Sequence, residues 1–270
     1  MREFGPATAP SILFFHGGGA GGWMWQPQVD RLPEYHCLVV DLPEHGRSMH
    51  VKPFSIRLAA GLIADLIETQ AHGRRAHITG LSLGAQVGVQ LLARSPEKVD
   101  HALLSSPLIH PIPGTGWLTP GLVAASYRWF LQPFKNNDFW IRLNMRYSAG
   151  IPDPYYAQFK EEFQRTTKDS FVHVMVENQA FRLPKGLEHA QAPTLLVAGQ
   201  REYGAMRQSV RDLAAVLPKG RAYEILFPKG VGLAAQHNWS LTAPQLFTDT
   251  LRAWIENQPL PKSLRPLDPT

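Results

Sequence analysis

Short apolar runs alternate with longer amphipathic segments along most of the chain, and this alternation predicts the order of strands and helices. Each apolar run has the length of a strand and is flanked by turn or polar residues. The strand candidates are residues 12–15, 37–40, 76–79, 102–104, 194–198 and 223–227, and the clearest helical patterns are residues 56–69, 83–94, 206–216 and 244–257. Strand followed by helix, repeated, predicts an α/β fold with a mostly parallel sheet of about six strands, covered by helices on both faces.

One long interval breaks this rhythm, because no strand pattern occurs between residues 109 and 189. More than half of the aromatic residues fall in it, which predicts a helical cap insertion. The expected organisation is a core domain of residues 1–108 and 190–257, the insertion 109–189, and a proline-rich tail 258–270 that trails over the surface. The last helix is expected to begin with a capping box, in which the Thr242 hydroxyl caps the first turn and Gln245 reaches back.

Composition narrows the class of protein. The chain has 270 residues, 44% hydrophobic and 18% charged, as expected for one folded body. A formal charge of +5 is spread over single basic residues without a run, so no nucleic acid partner is expected. The single cysteine, Cys37, excludes an internal disulfide. No stretch approaches 18 apolar residues and no secretory signal pattern starts the chain, so we expect a cytoplasmic protein without a membrane partner.

A glycine-rich segment after the first strand also matches a dinucleotide-binding pattern. Gly17, Gly19 and Gly22 satisfy the G-x-G-x-x-G spacing, and Asp41 stands near the distance at which such sites bind a ribose. That motif requires the third glycine to open a helix, whereas Pro27 marks a helix start well after the glycines. The pattern therefore disfavours a nucleotide cofactor, and we expect no cofactor.

A second glycine motif predicts nucleophilic chemistry. The sequence Gly80-Leu81-Ser82-Leu83-Gly84 follows the strand at 76–79 and precedes a helical pattern. A sharp strand-to-helix turn needs small residues on both sides, leaves the serine hydroxyl exposed, and directs the first helix amides to the same point. Ser82 is the predicted nucleophile.

These motifs, in this order, resemble the α/β-hydrolase fold family, in its serine esterase-like branch, over nearly the whole chain. His16-Gly17-Gly18 is similar to the family's oxyanion loop, residues 41–48 to its D-x-P-G-x-G-x-S stretch, and residues 80–84 to its nucleophile elbow. Glu44 stands where that stretch usually has glycine. The family sheet usually has eight strands and opens with an antiparallel pair. Because only 11 residues precede Ile12, we expect the opening hairpin to be missing here.

The resemblance implies a triad in the order serine, acid, histidine. His237 is the only histidine after His189 and follows the last predicted strand, so we expect it to be the general base. Glu202 fills the aspartate position of the family's G-x-x-D pattern after the strand at 194–198, and Asp212 is the weaker candidate for the acid. The other strand end that supplies an acid in some relatives, residues 104–107, holds no carboxylate.

The resemblance also implies an oxyanion hole of two backbone amides, one from Leu83 and one from the glycine loop. Gly18 matches the family position, Gly19 is the alternative, and His16 is expected to orient the loop. No metal-binding spacing is found, so no metal site is expected.

The predicted function is hydrolysis of small to medium hydrophobic carboxylic esters through an acyl-enzyme on Ser82, with a small-molecule ester as the substrate. A thioesterase, lactonase, C–C hydrolase or hydroxynitrile lyase would use the same residues, and a small-molecule receptor with slow or no turnover is the alternative outside catalysis. Cap aromatics are expected to bind substrate, namely Trp129, Phe130 and Trp140. The cap arginines Arg128, Arg142 and Arg146 would instead suit an anionic acyl group.

Overall fold

The computed structural model describes residues 1–114 and 119–267. Residues 115–118 of the predicted insertion and residues 268–270 of the predicted tail lie outside the described residues. The strands are β1 (Arg2–Phe4), β2 (Ser11–Phe15), β3 (His36–Val39), β4 (Ala76–Leu81), β5 (Val99–Ser105), β6 (Thr194–Gly199), β7 (Gly220–Ile225) and β8 (Leu264–Pro266). They form one sheet in the order β1-β3-β2-β4-β5-β6-β7-β8. The predicted α/β fold is confirmed.

The six central strands, β2 to β7, are parallel and match the six predicted apolar runs. The prediction of about six strands was too low, because each edge of the sheet carries one short antiparallel strand. β1 pairs with β3, so the chain does open with a strand antiparallel to its neighbour. β8 pairs with β7, so the tail expected to trail over the surface instead adds a strand to the sheet.

The helices are α1 (Gln26–Val29), α2 (Ile56–Gln70), α3 (Leu83–Arg94), α4 (Pro120–Ser126), α5 (Asp138–Leu143), α6 (Tyr156–Arg165), α7 (Lys168–Ala180), α8 (Gly204–Val216), α9 (Leu233–His237), α10 (Trp239–Thr242) and α11 (Pro244–Ile255). Wide π-type turns extend α4 over Tyr127–Leu131 and α5 over Asn144–Ala149. The described part of the segment between β5 and β6 thus contains helices and no strand, in line with its sequence pattern.

Successive side chains of a strand point to opposite faces of the sheet, and each face packs against its own hydrophobic core. In β2, Leu13 and Phe15 join one hydrophobic core with α2, α3 and α8. Ile12 and Phe14 join a second core, which includes Trp25 and residues of α11. This explains why the central strands read as unbroken apolar runs.

The start of α11 differs from the prediction. Ala243 stands at the N-cap without a side-chain cap, and the Thr242 hydroxyl donates instead to the Ala235 carbonyl at 2.7 Å. The expected capping box is therefore wrong. Pro244 begins the helix, since its fixed φ suits the first turn and it lacks the amide that would need a partner.

The helical insertion is joined to the core by carboxylates that accept backbone amides. Glu177 of α7 accepts the amide of Ile56 at 2.9 Å, at the start of α2. Glu162 of α6 accepts the amide of Gly46 at 3.2 Å, in the turn after β3. Both bonds fix the insertion on the segment that connects β3 with α2.

Candidate active site

Ser82 occupies the strained turn between β4 and α3, with φ 55° and ψ −114°. The two flanking glycines are required by close packing. A Cβ on Gly80 would lie 2.5 Å from the Gly84 carbonyl oxygen, and a Cβ on Gly84 would lie 2.2 Å from the Phe15 carbonyl oxygen. A backbone outlier held by such packing is typical of functional sites, and here it presents the serine at the end of the strand.

Glu202 and His237 lie at the ends of neighbouring elements and are directly hydrogen-bonded. His237 Nδ1 lies 2.5 Å from Glu202 Oε1. Because a carboxylate only accepts, Nδ1 carries the hydrogen, which leaves Nε2 as the basic nitrogen. The Glu202 side chain is fully buried, whereas the His237 ring is 22% exposed. A buried carboxylate therefore fixes the tautomer and orientation of a histidine that reaches the cavity.

Two further donors hold the Glu202 carboxylate. The Ser106 hydroxyl lies 2.8 and 2.9 Å from its two oxygens, and the Gly199 amide donates to Oε2 at 2.9 Å. Asp212, the weaker candidate, lies on α8 and instead contacts His110 Nε2 at 2.5 Å. The structure thus brings Glu202, and not Asp212, against His237.

Two buried histidines shape the glycine loop after β2. His16 Nδ1 donates to the Gly17 carbonyl at 2.8 Å, and its Nε2 accepts the Leu42 amide at 2.9 Å. His45 Nε2 accepts the Gly19 amide at 3.3 Å. Burial lowers the pKa of His16 and lowers that of His45 to about 3, so both rings are neutral at pH 7.

These bonds bear on the choice between Gly18 and Gly19. The Gly19 amide is used by His45, whereas Gly18 lies beside Leu83, since a Cβ on Gly18 would lie 3.9 Å from the Leu83 Cβ. This arrangement favours Gly18 over Gly19 as the residue whose amide would form an oxyanion hole together with that of Leu83.

Asp41 does not have the surroundings of a ribose-binding carboxylate. It accepts the amide of Gly22 at 2.7 Å and that of Arg47 at 3.3 Å. Burial opposes ionisation, but these hydrogen bonds and nearby positive charge leave the pKa of Asp41 below its ordinary value. Gly22, the third glycine of the G-x-G-x-x-G pattern, opens a short 3₁₀ turn rather than a long helix. Asp41 thus holds the loop together.

Ser82 lies where two lobes of a cavity meet under the insertion. The Glu44 lobe, of about 240 Å³, is lined by Gly18, Gly19, Glu44, His45, Ser82, Leu83, Thr166, Ser170, Phe171, Val174, Met175 and Asn178. The His237 lobe, of about 320 Å³, shares Ser82 with it and adds His237, Met24, Leu131, Ile151, Phe159 and Phe163. A small ester with groups on both sides of its carbonyl fits such a shape.

The predicted substrate-binding aromatics are placed elsewhere. Trp129 is 72% and Phe130 60% exposed, and Trp140 packs on Phe134 with ring centroids 4.8 Å apart. None of the three lines either lobe. The aromatic walls come instead from α6 and α7, through Phe159, Phe163 and Phe171. The spacing of Phe159 and Phe163, four residues apart on an amphipathic helix, was the available sequence signal.

Among the described residues, no group of three or more histidine, cysteine or acidic side chains is arranged to hold a metal ion. Within the same residues, no helix is both long and apolar enough to cross a bilayer.

Several curated proteins are similar to this chain. Carboxylesterase YbfK of Bacillus subtilis is 27% identical over 262 residues, which cover 93% of this chain and 82% of that protein. An AB hydrolase superfamily protein of Gibberella zeae is 26% identical with the same coverage. A pimeloyl-(acyl-carrier protein) methyl ester esterase of Neisseria meningitidis is 36% identical over 106 residues, 39% of this chain and 40% of that esterase.

Solved structures share the fold. An enol-lactonase from Burkholderia xenovorans superposes with a TM-score of 0.71 at 22% identity, covering 94% of this chain and 95% of the other. The esterase EaEST from Exiguobacterium antarcticum also gives 0.71, at 17% identity and 94% coverage of each chain. A model of the alpha/beta hydrolase family matches residues 12–250. Since that match spans most of the sheet and the insertion, the chain belongs to the alpha/beta hydrolase family.

Proposed function

We propose that this protein hydrolyses small to medium carboxylic esters through an acyl-enzyme on Ser82. The observation that carries the proposal is the Glu202–His237 hydrogen bond of 2.5 Å, with His237 and Ser82 lining one cavity. A serine hydroxyl is a weak nucleophile until a base takes its proton, and a base works best when a third group orients it. The family membership and the esterases among its relatives agree with this chemistry.

In the first half-reaction, Ser82 Oγ attacks the ester carbonyl carbon while His237 Nε2 takes the hydroxyl proton. The carbonyl oxygen becomes negative and is stabilised by the amides of Gly18 and Leu83, each contributing about 3 kcal/mol. His237 then gives its proton to the leaving alcohol oxygen, and the acyl group stays on Ser82. In the second half-reaction, His237 activates a water that releases the carboxylic acid and restores Ser82.

This proton path indicates which part of the ester each lobe of the cavity would hold. The leaving alcohol must lie within reach of His237, so it occupies the His237 lobe. The acyl group then occupies the Glu44 lobe, where Leu83 lies. Phe171, Val174 and Met175 give that lobe an apolar wall, which suits an acyl chain.

The test is turnover of p-nitrophenyl hexanoate by the wild type, Ser82→Ala and His237→Ala. Each substitution removes part of one proton-transfer unit, so we expect kcat/KM to fall at least about a thousandfold in either variant. His189→Ala is the matched control, because that histidine is 78% exposed and outside the cavity; it retains wild-type turnover. Turnover within tenfold of wild type in folded Ser82→Ala would refute the proposal, and saturable ester binding without turnover in the wild type would favour a receptor.

A further inference from the structure

Glu44 has an unusual backbone conformation for its residue type. It lies in the turn after β3 with φ 59°, the left-handed region that favours glycine. The family's D-x-P-G-x-G-x-S stretch, which residues 41–48 resemble, usually has glycine at this position. This chain therefore keeps a side chain where it strains the backbone. Strain of this kind persists where the side chain is used.

The Glu44 side chain is buried and only half satisfied. The residue is 6% exposed, and its Oε2 accepts the Phe54 amide at 2.8 Å and the His173 Nδ1–H at 2.8 Å. Within the described residues, no hydrogen bond ends on Oε1. Glu44 Oε1 is not one of the fully enclosed atoms without a partner, and Glu44 lines the lobe, so this oxygen is open to a ligand that brings a hydrogen-bond donor.

Glu44 is also the one charged side chain among the described residues that line the Glu44 lobe. The other lining residues are glycine, hydroxyl, amide or apolar residues, together with His45, whose pKa of about 3 keeps it neutral. Arg128, Arg142 and Arg146, which could have favoured an anionic acyl group, are exposed and do not line the lobe. Glu44 therefore supplies the formal negative charge of this lining, and His173, which contacts its Oε2, is the neighbouring group that would offset that charge on protonation.

We propose that Glu44 selects the acyl group: the lobe binds acyl chains that carry a hydrogen-bond donor, an ammonium or a hydroxyl, on Glu44 Oε1, and it rejects chains that carry a carboxylate. The apolar wall of Phe171, Val174 and Met175 holds the methylene part of the same chain. The lobe has a volume of about 240 Å³, so a medium-length acyl chain is the appropriate probe of it. The inference rests on the proposed function, because it places the acyl group in this lobe.

The experiment uses four p-nitrophenyl esters of one length. The six-carbon acyl chain ends in a methyl, a hydroxyl, an ammonium or a carboxylate group, and kcat/KM is measured at pH 7 and about 0.15 M salt to screen long-range attraction. For the wild type we expect the ammonium ester to exceed the carboxylate ester at least a hundredfold, and the hydroxyl ester to exceed the methyl ester at least threefold.

Glu44→Gln removes the charge but keeps the size and an oxygen that can accept a hydrogen bond. The ratio of kcat/KM for the ammonium ester to that for the carboxylate ester should therefore fall below tenfold. The preference for the hydroxyl ester over the methyl ester should remain. Glu44→Gly suits the left-handed backbone and removes both features, so both preferences should vanish. Glu161→Gln is the matched control for net charge, because Glu161 is exposed and pairs with Arg165 on α6; it should keep both wild-type ratios.

The outcomes separate the two proposals. Ratios that are equal in the wild type and both Glu44 variants overturn the role of Glu44, even where Ser82→Ala abolishes turnover of all four esters. Full turnover of the methyl ester by Ser82→Ala overturns the proposed function instead. Circular dichroism of each variant establishes that the folded protein is compared, and the glycine variant provides the result where Glu44→Gln does not fold.

Discussion

At the scale of single residues, the site depends on how a glutamate is held where the family usually has an aspartate. Glutamate has one more methylene and therefore more freedom. Ser106, with φ 55° at the end of β5, places its hydroxyl against both carboxylate oxygens of Glu202, and the Gly199 amide adds a third contact. These donors confine the longer side chain to the position from which it meets His237 Nδ1.

This arrangement predicts unequal effects at the two candidate acids. Glu202→Gln keeps the shape but removes the charge that fixes the His237 tautomer, so we expect kcat/KM to fall at least about a hundredfold. Asp212→Asn should keep activity within threefold, because Asp212 contacts His110 and not His237. Both variants are assayed on one ester at one pH. Greater damage from Asp212→Asn would show that the acid is assigned wrongly.

At the scale of elements, one face of α7 forms a wall of the Glu44 lobe, in which we place the acyl group. Phe171, Val174, Met175 and Asn178 are three and four residues apart, so they share one side of the helix. Val174 lies close to the glycine loop, since a Cβ on Gly18 would lie 3.5 Å from its Cγ1. The length of this wall should therefore set the length of the acyl chain that fits.

Unsubstituted acyl esters should show this limit. Each buried methylene contributes about 0.8 kcal/mol, so kcat/KM should rise about fourfold per methylene from acetate and fall before palmitate. Val174→Phe fills part of the lobe and should lower the hexanoate-to-acetate ratio at least tenfold. Val172→Phe, on the same helix but outside the lining, is the control and should keep the ratio. An unchanged profile in Val174→Phe would place the acyl chain elsewhere.

The sequence predicts best those strands that are buried on both sides. β2 to β6 are readable because their largely buried apolar runs face two cores, whereas the first four residues of β7 are at least partly exposed and β7 only overlaps the run predicted at 223–227. β1 and β8 are three residues long, partly exposed, and defined only by pairing with β3 and β7. Ser82, Glu202 and His237 were predicted from the order of motifs along the chain, and the structure places Glu202 against His237 and His237 in one cavity with Ser82. The exposed Trp129 and the lining Phe159 have the same apolar character as single residues, and apart from the four-residue spacing of Phe159 and Phe163 it is tertiary packing that separates them.

At the scale of the whole molecule, the sheet and the loops at its catalytic end both bury neutral histidines. His45 lies at the catalytic end, and burial lowers its pKa to about 3. His77 on β4 lies between Tyr35 and His101, and burial, with the neighbouring His101, lowers its pKa to about 4. Each remains uncharged in the folded protein at pH values where the unfolded chain binds a proton.

This difference in proton binding predicts destabilisation in mild acid. An unfolded histidine titrates near pH 6.5, so the contribution of His77 is fully present above pH 6.5 and is lost as the pH falls towards 4, at about 1.4 kcal/mol per pH unit. Urea unfolding between pH 7 and pH 4.5 measures the slope of the unfolding free energy. His77→Gln should reduce that slope by about 1.4 kcal/mol per pH unit, because it removes one group that protonates only on unfolding. His189→Gln, at an exposed position, should leave the slope unchanged, and a His77→Gln profile parallel to wild type would assign the acid sensitivity to other groups.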